Sequence, residues 1–98
     1  MEINKIAKEI HKLAIEKGWW KEERPIPELL CLIHGEVSEA LEVYRRNGLK
    51  ADLADELADI VIRVFDMAEG LGIDIETTIY LKHSKNKKRP YRHGGKKC

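Results

Sequence analysis

Apolar residues recur along the chain at helical spacing, and three breaks divide them into four segments. Ile3, Ile6, Ala7, Ile10, Leu13 and Ala14 fall on one face of the first, with Lys5, Lys8, Glu9, Lys12 and Glu16 elsewhere. Spacings of three and four residues are what a helix with one buried stripe requires. Gly18 is a stop signal, and a connector with two tryptophans and two prolines runs from Trp19 to Pro27. Pro27 suits the first turn of a second helix, where its missing N–H costs nothing. Leu29, Leu30, Ile33, Val37, Ala40, Leu41 and Tyr44 form the apolar face of that helix, and Asn47-Gly48 its end. A third helix is expected to start near Asp52 as N-cap. Its stripe is Leu53, Leu57, Ile60, Val61, Val64, Phe65 and Ala68, and Gly70 and Gly72 close it. Asp74 caps a shorter fourth helix that carries Ile75, Ile79 and Tyr80 and loses its pattern after Leu81. Pro90 and Gly94-Gly95 mark an irregular tail over residues 88–98. No run alternates with period two. The pattern predicts an all-α, four-helix, bundle-like fold, one domain over residues 1–98.

Composition narrows the class. At 43% hydrophobic and 36% charged, the 98 residues are too apolar for a disordered chain and too charged for a membrane span. No apolar run approaches the ~20 residues of a transmembrane helix. With no apolar leader in Met1 to Lys8, a cytoplasmic location is expected. A chain of this length buries a thin core, so a subunit interface is expected too. Two cysteines make no disulfide framework, and Cys31 and Cys98 are expected as reduced thiols. Cys31 and His34 form a C-x-x-H spacing, but nothing nearby completes a zinc set.

Charge is segregated. Residues 82–98 hold eight Lys and Arg and no acid, whereas residues 1–81 hold ten basic and seventeen acidic residues. An acidic body with a basic tail suits a solvated end or a polyanion contact, such as nucleic acid, a nucleotide phosphate or an acidic neighbouring subunit.

The acids are placed in pairs. Glu36 and Glu39 lie three positions apart on the second helix, and Glu56 and Asp59 three apart on the third. Residues at that spacing face the same way, and helices joined by a short link are antiparallel neighbours. Both pairs can then meet, giving four carboxylates around one point. Asp52 and Asp55 form a further pair upstream, so the register on the third helix has an alternative, and acid pairs are also common on solvated faces. Four crowded carboxylates do not all stay ionised unaided, and a hard divalent cation relieves the repulsion. An all-oxygen set favours Mg²⁺ or Mn²⁺, while the absence of Glu-x-x-His argues against a ferritin-like di-iron site.

These motifs resemble those of the MazG-like nucleoside triphosphate pyrophosphohydrolases, the all-α NTP pyrophosphatases. The family pattern E-x-x-E then E-x-x-D reads here Glu36-Val-Ser-Glu39 and Glu56-Leu-Ala-Asp59. The flanks match as well, Gly35 to Glu42 and Asp55 to Ile62. The likeness continues through Leu71-Gly72-Ile73-Asp74-Ile75 to Lys82, Asn86 and the stretch Arg89 to Lys97. It covers about residue 29 onward; residues 1–28 match only in layout.

The resemblance implies Mg²⁺-dependent cleavage of a nucleoside triphosphate to the monophosphate and pyrophosphate, serving nucleotide-pool housecleaning. Glu36, Glu39, Glu56 and Asp59 would be metal ligands, and Glu39 would also orient water as the catalytic acid–base group. Lys82 and Asn86 share a helix face and, by the family's pattern, contact phosphate or help hold the metal–phosphate assembly. Arg89 and Arg92 are candidates for the triphosphate or a neighbouring subunit, although cations also suit a helix C-terminus. Trp19 is the candidate for stacking on a base, and Trp20 for covering the bundle end or an interface. The family assembles as homodimers or homotetramers. The competing reading is a non-catalytic helical interaction module whose basic tail, through Lys85, Lys87, Lys88, Arg89 and Arg92, contacts nucleic acid in a salt-dependent way. The acidic body and the few aromatics in the tail argue against it.

Overall fold

The computed structural model describes residues 2–48 and 50–91. Four helices follow one another, α1 (Glu2–Glu16), α2 (Ile26–Asn47), α3 (Lys50–Gly70) and α4 (Ile75–Lys87), with no strand among the described residues. The fold is all-α with four helices, the class the hydrophobic pattern predicts. Arg92, the Gly94-Gly95 signal and Cys98 lie outside the described residues. Among the described residues no helix is long and apolar enough to cross a membrane.

The helix ends follow local chemistry. After α1 the chain turns at Gly18, whose φ of +84° favours glycine. α2 begins at Ile26, with Pro27 inside its first turn, and stops where Gly48 adopts the left-handed conformation and donates its N–H to the Tyr44 carbonyl. α3 corrects the expected N-cap. It starts at Lys50, so Asp52 lies within the first turn, where an acid still faces the positive end of the helix dipole. At α4 the expected cap is present: Asp74 Oδ1 accepts from the Thr77 N–H at 3.0 Å.

α3 is the central element. α2 packs on one side of it and α1 on another, while α1 and α2 do not pack on each other. A groove therefore runs between α1 and α2 with α3 as its floor. α4 makes smaller contacts with α1 and α3. The buried apolar residues are Ala7, Ala14, Leu29, Ala40 and Ala68, and no large side chain is fully buried among the described residues. Alanines let helices approach closely but withdraw little apolar area from water. The stripes read as core are therefore only partly covered. Val37, Leu41, Leu57 and Val61 remain 46–52% exposed, because nothing among the described residues covers that side of the α2–α3 pair.

α1 and α4 are joined by reciprocal capping. Glu76 Oε1 accepts from the Asn4 backbone N–H at 3.0 Å, and Asn4 Oδ1 accepts from the Glu76 backbone N–H at 3.3 Å. Asn4 Nδ2 donates to Asp74 Oδ1 at 2.9 Å. Each helix thus satisfies an orphan N–H at the start of the other, which fixes α4 despite its modest packing. The Asn4 amide, followed by the Thr77 backbone and hydroxyl, holds the Asp74 carboxyl below its ordinary value of 3.8.

Asn4→Ala should lower stability by about 1–2 kcal/mol by removing the two side-chain bonds, from the Glu76 N–H and to Asp74 Oδ1, while the Asn4 backbone N–H keeps its bond to Glu76. Asp74 binds its proton less tightly when folded than when unfolded. Its stabilising effect is therefore full above pH 3.8 and lost as pH falls through the folded pKa below it. Asp74→Ala should destabilise the protein at neutral pH and flatten this acid limb, whereas Asp74→Asn keeps much of the cap. Denaturant titrations over a pH series check both.

Candidate metal centre

The groove between α1 and α2 contains a cavity of about 570 Å³. Ile10, Leu13 and Ala14 of α1 form an apolar wall, Glu36 and Glu39 of α2 face it, and Asp59, Ile62, Arg63 and Asp66 of α3 form the floor. Lys17 and Trp19 close one end. The volume lies in the range of small-ligand sites.

Of the four acids expected to meet, three come together. Carboxylate oxygens of Glu36, Glu56 and Asp59 lie within 4.8 Å of one another. Glu39 is not in that tight group but lines the same cavity and acts electrostatically on Glu56. Burial raises the Glu56 carboxyl above its ordinary value of 4.5, and the charges of Asp59, Glu39, Glu36 and Asp55 raise it further. Glu56 Oε2 is buried without a hydrogen-bond partner. A buried carboxylate oxygen with no donor, beside three more acids, is an unmet demand for positive charge. An all-carboxylate set meets the ligand requirements of Mg²⁺ or Mn²⁺, and Glu36, Glu56 and Asp59, with Glu39 adjacent, are the residues that would hold such an ion.

Two tryptophans from the connector are used differently. Trp20 Nε1 donates to Asp66 at 2.9 and 3.0 Å, and His11 Nδ1 donates to the same carboxylate at 2.7 Å. The His11 and Trp20 rings meet edge-on at 5.1 Å. A Cβ at Gly70 would lie 2.3 Å from the Trp20 ring, so α3 accepts the indole only because residue 70 is glycine. Trp19 instead faces the cavity, half exposed, with the Arg63 guanidinium 5.3 Å from its ring centroid. Arg63 Nε also donates to Glu36 Oε1 at 3.1 Å.

Lys82, Asn86 and Arg89 are exposed on or just after α4 and do not line the cavity. His34 is exposed, and Cys31 is an exposed free thiol. Four participants were not singled out from sequence: Lys17, Arg63, Asp66 and His11 as a partner of Asp66. Arg63 and Asp66 follow Asp59 at helical spacing, which is the signal that could have found them. Lys17 and His11 carried no such signal, because their place depends on how α1 lies against α3.

Because Glu56 binds its proton more tightly folded than unfolded, its ionisation opposes folding, a cost that builds as pH rises from 4.5 through the raised folded pKa and is then constant. Glu56→Gln should therefore raise the thermal midpoint of the metal-free protein at neutral pH. Added Mg²⁺ should raise the midpoint of the unsubstituted protein and leave that of Glu56→Gln nearly unchanged. An equal response in both proteins excludes Glu56 as a ligand. No family model, curated protein or solved structure matches the chain.

Proposed function

We propose that the protein is a Mg²⁺-dependent nucleoside triphosphate pyrophosphohydrolase, converting a nucleoside triphosphate and water to the monophosphate and pyrophosphate. The observation that carries this reading is the convergence of Glu36, Glu56 and Asp59 within 4.8 Å, with Glu56 Oε2 unpartnered, at the edge of a ligand-sized cavity. The resemblance of Glu36 to Glu39 and of Glu56 to Asp59 to the MazG-like motifs supports it.

Held there, Mg²⁺ would neutralise phosphate charge and acidify a bound water. The chain supplies the rest. Glu39, which lines the same cavity, would accept a proton from the attacking water. Trp19 offers an aromatic face to a base, worth about 1–3 kcal/mol when stacked. Lys17 brings a positive charge to the Trp19 end of the cavity.

The reading includes self-association. Leu30, Val37, Leu41 and Tyr44 repeat on one face of α2 and are 48–59% exposed. A second copy would cover this stripe, forming a dimer or a pair of dimers. It is also the source from which Lys82, Asn86 and Arg89 of a neighbouring α4 would reach a phosphate chain.

Hydrolysis of a panel of canonical and modified NTPs and dNTPs with Mg²⁺, with products resolved, tests the reaction. Monophosphate and pyrophosphate are expected. Glu36→Gln and Glu56→Gln should each lower kcat/KM by about a hundredfold or more, above the range typical of an outer-shell partner. No turnover by a folded oligomer would overturn the reading and favour the binding module. Light scattering should give a dimer or tetramer, shifted toward monomer by Leu41→Glu; a strictly monomeric, active sample would exclude the shared site.

A further inference from the structure

Arg63 touches both α2 and the connector across the cavity, through Glu36 and Trp19. It projects from α3 one turn beyond Asp59, its Nε donates to Glu36 Oε1 at 3.1 Å, and its guanidinium lies over Trp19 at 5.3 Å. Its Nη groups make no hydrogen bond among the described residues. The guanidinium is partly buried, with 27% of the side chain exposed, and Glu36 is more so, at 15%.

We propose that Arg63 is a substrate-positioning residue that rests on Glu36 and Trp19 in the free protein and turns its guanidinium to the phosphate chain when substrate enters. The inference rests on the proposed metal-dependent site.

Three features favour it over a purely structural ion pair. The contact with Glu36 uses Nε alone, a single hydrogen bond, although a guanidinium can grip a carboxylate with two parallel bonds. The Nη donors therefore remain for planar, two-pronged recognition of phosphate, which suits Arg better than Lys. Next, Glu36 stands among Glu39, Glu56 and Asp59, and one guanidinium cannot balance four acids. A divalent cation in that cluster competes for Glu36 and weakens the hold on Arg63. Lastly, Trp19 supplies an apolar, electron-rich rest that keeps the guanidinium in the cavity when it leaves the carboxylate.

The opposite role is equally definite: Arg63 could hold Glu36 in place as a ligand. The two roles predict opposite responses to metal alone. A residue that organises a ligating carboxylate costs about 10–100-fold in metal affinity when removed. A residue that competes for that carboxylate leaves metal affinity unchanged or tighter.

The experiment uses the full chain and two probes. Mn²⁺ alone is titrated by electron paramagnetic resonance, and inorganic tripolyphosphate, premixed with equimolar Mn²⁺, by calorimetry. Unsubstituted protein, Arg63→Met, Arg63→Lys and Glu56→Gln are compared after circular dichroism has matched their helix content. Arg63→Met should bind Mn²⁺ at least as tightly as the unsubstituted protein and Mn²⁺–tripolyphosphate about ten- to a hundredfold more weakly, the usual range for a lost charge-assisted bond. Arg63→Lys should fall between, since it keeps the charge and loses the fork. Ten-fold weaker Mn²⁺ binding by Arg63→Met overturns the proposal and makes Arg63 a support for Glu36. Unchanged tripolyphosphate affinity, or none in the unsubstituted protein, overturns it too. These failures leave the metal centre standing if Mn²⁺ binds and Glu56→Gln abolishes that binding. Failure of Mn²⁺ to bind the unsubstituted protein removes the metal centre and this inference together.

Discussion

A buried carboxylate determines how the pieces of this protein meet. Asp66 lies on the central helix and is almost wholly withdrawn from solvent, at 5% exposure. Such a group must be hydrogen-bonded, and its donors come from two other segments: His11 of α1 and Trp20 of the connector. These bonds set the angle at which α1 lies on α3 and turn the connector back across Gly70. Trp20 is thereby committed to the interior, and its neighbour Trp19 is left at the mouth of the groove. The cavity exists because α1 is held to α3 without packing on α2.

Charge distribution in that cavity is uneven in a useful way. Acids from α2 and α3 crowd one side, where Glu56 titrates above its ordinary value and has an oxygen without a donor. Lys17 and Arg63 share the cavity, with Trp19 beside them. A ligand combining a divalent cation, a polyanionic chain and a flat ring would meet all three chemistries within about 570 Å³. The arrangement is held on long helices rather than loops, so acids three residues apart keep their relative direction.

Stability in a single chain comes from small contacts more than from a deep core. Alanines bring α1, α2 and α3 close, and the cross-capping of Asn4 with Glu76 and Asp74 ties down α4 through backbone N–H groups. The remaining apolar stripe on α2 stays half exposed among the described residues.

The four helices, their stops at Gly18 and Gly48 and the Asp74 cap were legible in the sequence, because periodicity, capping and left-handed turns act over a few residues. Helical spacing and a short link also suffice to bring α2 and α3 acids together, but only Glu36, Glu56 and Asp59 form the tight group, and Glu39 lies outside it. The start of α3 was misplaced by two residues, because an acid serves equally at the cap and in the first turn. What only the tertiary structure decided were relations across long separations: His11 and Trp20 on Asp66, Arg63 between Glu36 and Trp19, and the exposure of half the predicted stripe. Local sequence fixes which way a side chain leaves its own helix; which helix it then meets depends on packing angles that no short-range pattern encodes.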